Sequence, residues 1–161
     1  MGAEEAKHVV RRFIEELWNQ RQDQVAQEIL ASTCTAHMVS WLFAGDSRHG
    51  NDPSFRDAFL LAFPDQVAII HRLTGEQQPD GSVLVAAWSS FTGTHRGELY
   101  GYPATGRRVT VHGYRFFRVE DGMITDYWPL WDWHGLFGQL GFEVPVPAGA
   151  PTGPPGLKGS V

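Results

Sequence analysis

The sequence predicts one α+β domain, in which helices cover one face of an antiparallel sheet. Up to Pro64 the apolar residues recur at helical spacing, whereas the segments that follow are rich in β-branched and aromatic residues. Helices followed by strands are typical of this fold class. A chain of 161 residues with 42% hydrophobic residues is long enough for one such domain and its core.

The helices are predicted from apolar periodicity and from start and stop residues. The first helix, over residues 3–20, has apolar residues at every third or fourth position: Ala6, Val9, Val10, Phe13, Ile14, Leu17 and Trp18. A shorter helix fits residues 23–31. A third helix begins after Asn51-Asp52-Pro53, because a capping residue followed by proline favours a helix start, and it ends at Pro64.

The second half of the chain predicts strands separated by turns. Asp80-Gly81 and Asp121-Gly122 are turn signals, and the longer loop 97–106 is suited to a rim or lid. The strands are expected within residues 67–73, 83–93, 107–119 and 123–131.

The end of the chain predicts a closing helix and a tail. A short helix fits residues 136–140, so the domain is expected to span residues 1–144. Residues 145–161 are rich in proline and glycine and have few side chains that could pack. They predict an extended or disordered tail.

Charge and cysteine content limit the partners. The net charge is −5 and there is no run of lysine or arginine, so nucleic acids and anionic membranes are not expected partners. The single Cys34 cannot form an internal disulfide and fits a reducing compartment. No signal peptide or apolar stretch of spanning length is evident, so we expect a soluble, cytoplasmic protein.

Several segments together resemble the SnoaL-like polyketide cyclase family, within the nuclear-transport-factor-2-like superfamily. They are AFPD (62–65), FTGTHRGELYGYPATGRRVTVHGYRFFRVEDGMITDYW (91–128) and WD..GLFGQLG (131–141). The resemblance implies a cone-shaped sheet around an apolar pocket and a homodimer or homotetramer built through the sheets. It implies ring closure of a small-molecule polyketide by intramolecular aldol condensation, with no cofactor and no metal. One aspartate acts as acid and base in that family, at a position matched here to Asp132.

Asp132 suits acid–base chemistry because Trp128, Trp131 and Trp133 lie close to it in sequence. Desolvation between indole rings would raise the pKa of a carboxylate and strengthen it as a base. A second interpretation is equally open: aspartate is a common cap for a helix such as 133–140. The family commonly has Trp-Asp where this chain has Trp128-Pro129, so a substrate different from that of the best-known members is expected.

Further site residues are predicted around this aspartate. His112 and His95 could polarise a carbonyl or carry a proton. His112 shares a strand face with Tyr114 and Phe116, which predicts a pocket wall. The remaining candidates for substrate contact are Asp126, Trp128, Tyr127, Trp41, His37 and Trp88. For each of them an ordinary packing or surface role is the alternative.

Two other functions remain open from the sequence. The first is an epoxide-opening or hydroxylase-like reaction, in which Asp126 and Asp132 supply acids and Arg115 a cation, provided that Arg115 faces inward. The second is a non-catalytic small-molecule-binding module, since fold alone does not determine function. The seven histidines show no metal-ligand spacing, and nothing marks Cys34 as an activated nucleophile.

Overall fold

The computed structural model describes residues 1–37, 47–50 and 52–143. The predicted tail and Trp41 lie outside the described residues. Within them no helix is both long enough and apolar enough to cross a lipid bilayer.

The helices follow the predicted order with shifted boundaries. Helix α1 (Ala3–Arg12) continues as a π-helical segment (Phe13–Asn19), and α2 (Gln24–Ile29) follows. The later helices are α3 (Ser54–Ala62) and α4 (Trp133–Leu140). The single helix predicted over residues 3–20 is therefore two kinds of helix, and α4 begins earlier than the predicted closing helix.

Within the described residues the strands are β1 (Leu30–His37), β2 (Ser47–His49), β3 (Val67–Gln77), β4 (Val83–Thr94), β5 (Arg108–Glu120) and β6 (Met123–Trp131). They form one mixed sheet in the order β2-β1-β6-β5-β4-β3. All pairings are antiparallel except that of β1 with β6, which is parallel. The two strands β1 and β2 were not predicted, since their residues lack a clear alternation.

Alternation along β5 defines two faces of the sheet. The buried positions include Val111, Gly113, Arg115 and Phe117, and each residue between two of them is exposed. We call the buried side, which packs against the helices, the inner face, and the opposite side the outer face. The core lies between the inner face and the helices, and includes Val10, Phe13, Ile14 and Leu17 of the N-terminal helical region.

A β-bulge in β6 decides which of its residues face inward. Ile124 pairs with Val119, but Asp126 pairs with Arg118, so Thr125 is an extra residue. Beyond the bulge, Tyr127, Pro129 and Trp131 pair with the inner residues Phe117, Arg115 and Gly113. Asp126, Trp128 and Leu130 consequently lie on the outer face.

Candidate active site

A cavity of about 380 Å³ lies between the N-terminal helices, β6 and the start of α3. The π-helical segment contributes aromatic and aliphatic walls, and α2, α3 and the turn before α3 contribute polar ones. Its lining residues are Phe13, Leu17, Trp18, Asp23, Ala26, Gln27, Leu30, Gly50, Asp52, Pro53, Phe55, Arg56 and Tyr127. An aromatic cavity with a few polar groups is typical of small-molecule sites.

A second, smaller space lies beside this cavity on the inner face. Trp18 and Phe55 line both spaces and therefore form the border between them. The smaller space, which we call the inner chamber, has a volume of about 10 Å³. Its other lining residues are Phe59, Gln66, Phe91, Arg115, Trp131 and Trp133.

Arg115 is the cation of the inner chamber. It is 4% exposed, and its guanidinium carbon lies 4.5 Å from the ring centroid of Trp131 and 5.9 Å from that of Trp18. Burial lowers the pKa of Arg115 to about 10, so the side chain is still protonated at neutral pH. Its Nη1 atom has no hydrogen-bond partner among the residues that the structure describes.

Tyr127 is the tyrosine of the larger cavity's lining. Its ring packs against Phe13 and Phe117, with centroid distances of 5.4 and 5.9 Å. Burial is the main cause that raises the pKa of Tyr127 above its ordinary value, and the negative charge of Asp52 acts in the same direction. Tyr127 is therefore a protonated O–H donor at physiological pH.

The carboxylates of Asp23 and Asp52 line the cavity. Neither residue was predicted from the sequence to belong to the site. Asp23 accepts a hydrogen bond from Nη2 of Arg56 at 2.9 Å. Asp52 is exposed, and it accepts hydrogen bonds of 2.9 Å from the backbone N–H and the hydroxyl of Ser54. The sequence marked Asp52 only as part of a helix start. Its position in the cavity depends on how α3 meets β6, which no local pattern reports.

Comparison with known proteins identifies the family of this chain. The profile of the SnoaL-like polyketide cyclase family matches residues 8–140. The chain belongs to this family. An aklanonic acid methyl ester cyclase from Streptomyces sp. (strain C5) is 31% identical over 156 residues, which cover 91% of this chain and 88% of the relative.

Two further proteins support the assignment to the SnoaL-like cyclases. An aklanonic acid methyl ester cyclase from Streptomyces peucetius is 31% identical over 88% of this chain and 94% of its own length. The crystal structure of IdmH from Streptomyces antibioticus, a protein put forward as a polyketide cyclase, superposes with a TM-score of 0.70. It is 26% identical and covers 84% of this chain and 97% of its own. The chain is thus an enzyme of the polyketide cyclase class, and the predicted α+β cone is confirmed.

Asp132, the acid–base position implied by the family, is a helix cap in this SnoaL-like cyclase. One of its carboxylate oxygens accepts a hydrogen bond from the backbone N–H of Gly135 at 2.8 Å. A side chain at position 135 would overlap the same carboxylate. Asp132 is exposed and does not line the cavity or the inner chamber. The prediction that indole rings enclose the Asp132 carboxylate is therefore wrong. The catalytic role of Asp132 stays a prediction.

The predicted pocket wall on β5 faces the wrong side of the sheet. His112, Tyr114 and Phe116 are exposed on the outer face, and Trp88 of β4, opposite Tyr114, is exposed with them. The His112 ring packs against that of His71, with centroids 5.7 Å apart. His112, Tyr114 and Phe116 do share one face, as predicted, but the cavity lies on the opposite, inner face.

Asp126, Trp128 and His37 form a separate cluster at the outer face. His37 Nε2 lies 2.8 Å from an Asp126 oxygen, and the His37 ring stacks on Trp128 with centroids 4.8 Å apart. The shared face of Asp126 and Trp128 agrees with strand alternation. None of the three lines the cavity, so their predicted substrate contacts have no support from this geometry.

His95 is a buried residue at the end of β4, outside the cavity. It is 0% exposed, its ring stacks on Phe63 at 5.3 Å, and its Nδ1 accepts a hydrogen bond from the Thr105 backbone N–H. Burial lowers the pKa of His95, which favours the neutral ring. These contacts tie the loop 97–106 to the core, which is the packing role given as the alternative.

Within the part of the chain that the structure describes, neither the cysteine nor the potential metal ligands form a second reactive centre. Cys34 is buried and its pKa is raised to about 12, mainly by that burial, so it remains a thiol. Across residues 1–37, 47–50 and 52–143, no cluster of three or more histidine, cysteine, aspartate or glutamate side chains could hold a metal ion.

Proposed function

We propose that this enzyme closes a ring in a polyketide inside the cavity, by an intramolecular aldol-type reaction without a cofactor. The observation that carries the proposal is that a protonated tyrosine and a carboxylate line the same aromatic cavity. Aldol closure needs a base for a proton beside a carbonyl and a donor for the resulting enolate oxygen. Membership of the SnoaL-like cyclase family supports the same reaction class.

Asp52 is the proposed base. It lines the cavity, whereas Asp132 caps α4 outside it. The hydrogen bonds from Ser54 fix the position of the Asp52 carboxylate, and exposure lets it exchange its proton with water. Removal of a substrate proton by a positioned carboxylate contributes about 10²–10⁴-fold to a rate.

Tyr127 is the proposed donor to the substrate oxygen. Because its pKa is raised, its hydroxyl remains protonated while the enolate forms. A hydrogen bond from this hydroxyl would stabilise the negative oxygen more in the transition state than in the ground state. After the new carbon–carbon bond forms, the protonated base returns a proton to the alkoxide, so the product is an isomer of the substrate.

The aromatic walls of the cavity are proposed to bind and fold the substrate. Phe13, Trp18 and Phe55 give a flexible polyketide an apolar surface on which to fold. Holding the two reacting carbons in contact converts a rare encounter into a frequent one, which can lower the barrier by about 7–11 kcal/mol in favourable cases. The cavity shape would then determine which ring closes.

The mass of the product tests the reaction class. We expect the purified enzyme, dialysed against EDTA, to convert aklanonic acid or its methyl ester into a product of unchanged mass but new chromatographic retention. The methyl ester is the compound in the names of the two Streptomyces relatives. A product that gains the mass of water, with an oxygen taken from labelled water, would contradict cyclisation and support epoxide opening.

The epoxide-opening alternative has less geometric support. Arg115 does face inward, as that hypothesis required. Asp126, however, lies on the outer face and Asp132 caps α4, so neither accompanies Arg115. The three groups named for that reaction are therefore not assembled around one water position.

We also propose that the chain forms a homodimer or homotetramer through the outer face. This face carries large exposed apolar side chains on four neighbouring strands, and contiguous apolar surface of this kind is typical of protein interfaces. A two-fold pairing would bury the same patch on both copies. Its exposed members are Val67, Ile69, Trp88, Tyr114, Phe116 and Leu130.

A further inference from the structure

We propose that Arg115 binds a carboxylate of the substrate, so that this cyclase prefers a free acid to the corresponding neutral ester. The inference rests on the proposed use of the cavity and its adjoining inner chamber as the substrate site. It adds a substrate class to that function, and it gives Arg115 a binding role that ring closure itself does not require.

Arg115 carries a buried positive charge. Arg115 is almost fully buried, and within the described part of the chain no carboxylate forms an ion pair with it. The two indole rings compensate for part of the lost hydration through cation–π contacts. A buried cation without a counter-ion is nevertheless costly, and a bound anion would remove that cost.

Among the described residues that line the two spaces, the buried polar side-chain atoms without a partner are of one kind. Nη1 of Arg115 and Nε2 of Gln66, both in the inner chamber, have no acceptor among the described residues. Nε of Arg56, in the larger cavity, is in the same condition. All three are N–H donors. A ligand that satisfies them must supply acceptors, and a carboxylate is an acceptor-only group that also carries the charge opposite to Arg115.

The guanidinium group of Arg115 lies in mainly apolar surroundings. Trp18, Trp131, Phe59 and Phe91 give the inner chamber apolar walls, where an ion pair is screened far less than at the surface. An exposed arginine would discriminate weakly between an acid and an ester. A buried one discriminates strongly, since the ester leaves both the charge and the donors without partners.

The size of the inner chamber determines how the carboxylate enters. Its 10 Å³ is about the space of one water molecule, too little for a carboxylate as it stands. Trp18 and Phe55 border both spaces, so a change in their side-chain rotamers would join them. The ring-forming part of the substrate then occupies the larger cavity while its acid end reaches Arg115.

Calorimetric binding of a matched pair of probes tests the proposal. The probes are 2-naphthoate and methyl 2-naphthoate, measured near neutral pH with wild type, Arg115→Met and Arg118→Met. Arg118 is the control because it lies on the same strand, on the outer side, and is paired with Asp80 and Glu120. All three proteins are compared by circular dichroism and thermal unfolding before binding is measured.

We expect wild type and Arg118→Met to bind naphthoate about thirtyfold more tightly than the ester, the effect typical of one partner in a buried charge pair. Arg115→Met should lose this preference but bind the ester nearly as well as wild type. Without a ligand it should unfold at the same or a higher temperature, because an unpaired buried charge has been removed.

Equal binding of acid and ester by wild type, or an acid preference that persists in Arg115→Met, would overturn the proposal. If Arg115→Met does not fold, Arg115→Gln, which keeps N–H donors without the charge, must lose the preference instead. Because the probes only bind, a failure here leaves ring closure untouched. Conversely, a missing cyclised product would count against the proposed function and not against the acid preference.

Discussion

Gly113 shows how a single residue shapes the inner chamber. It lies on the inner side of β5 opposite Trp131, and a side-chain carbon at this position would overlap the indole ring. The missing side chain lets Trp131 lie flat against β5 and cover the guanidinium of Arg115, two residues farther along the strand. The packing of Trp131 over the Arg115 guanidinium therefore depends on the absence of a side chain at Gly113.

Gly113→Ala is expected to destabilise the protein by about 1–3 kcal/mol, the usual cost of overpacking a core, because Trp131 must move. Urea unfolding followed by tryptophan fluorescence measures this. Gly138→Ala is the matched control, since a side-chain carbon there meets nothing within 4 Å and alanine favours a helix. Equal stability of Gly113→Ala and wild type would contradict the packing described for Trp131.

At the scale of elements, strand alternation could be predicted but the direction of each face could not. On β5 the set His112, Tyr114 and Phe116 is as aromatic as a pocket wall, and only tertiary packing puts Arg115 inside instead. On β6 the extra residue at Thr125 reverses the alternation, and nothing in the local sequence marks it. The capping role of Asp132, in contrast, could be predicted locally, because aspartate directly before a helix is a common cap.

The end of β4 carries a pH-dependent contribution to stability through His95. The pKa of His95 is lowered in the folded state by burial, whereas in the unfolded chain it is near ~6.5. The unfolded state therefore binds more protons below this pH, so folding stability falls as the pH drops through ~6.5 toward the folded pKa.

Urea unfolding at pH 7.5 and 5.5 should consequently give a larger loss of stability for wild type than for His95→Gln. Glutamine cannot titrate, and its amide oxygen can still accept the hydrogen bond from the Thr105 backbone N–H. The comparison between the two proteins removes the contribution of the other six histidines. The same pH dependence in both would rule out His95 as the titrating group.

At the scale of the whole molecule, the order of elements and the family could be predicted, but the cavity could not. Its lining comes from the π-helical segment, α2, the start of α3 and β6, which are far apart in sequence. Among the predicted site residues that the structure describes, Tyr127 alone lines it. Asp52 became a site residue only once these elements were packed together, because as part of a helix start it has an ordinary local explanation. The inward direction of Arg115, on which its predicted role depended, also follows only from packing.

Phe116→Arg is expected to convert the proposed dimer or tetramer into a smaller species. The added charge would lie within the exposed apolar patch of the outer face, where pairing would have to desolvate it. Light scattering coupled to gel filtration measures the mass. His8→Arg adds the same charge on the exposed side of α1 and should leave the mass unchanged. An unchanged mass for Phe116→Arg would exclude this face as the interface.

The central claim is that the base for ring closure lies in the cavity. It is tested most directly by the turnover of Asp52→Asn and Asp132→Asn on whichever form of the substrate the wild type cyclises. Asparagine preserves both the Ser54 contact and the helix cap, so both variants should fold. We expect kcat of Asp52→Asn to fall by about 10²–10⁴-fold, while Asp132→Asn stays close to wild type. Full activity of Asp52→Asn together with an inactive Asp132→Asn would contradict the claim and restore the base to the capping aspartate.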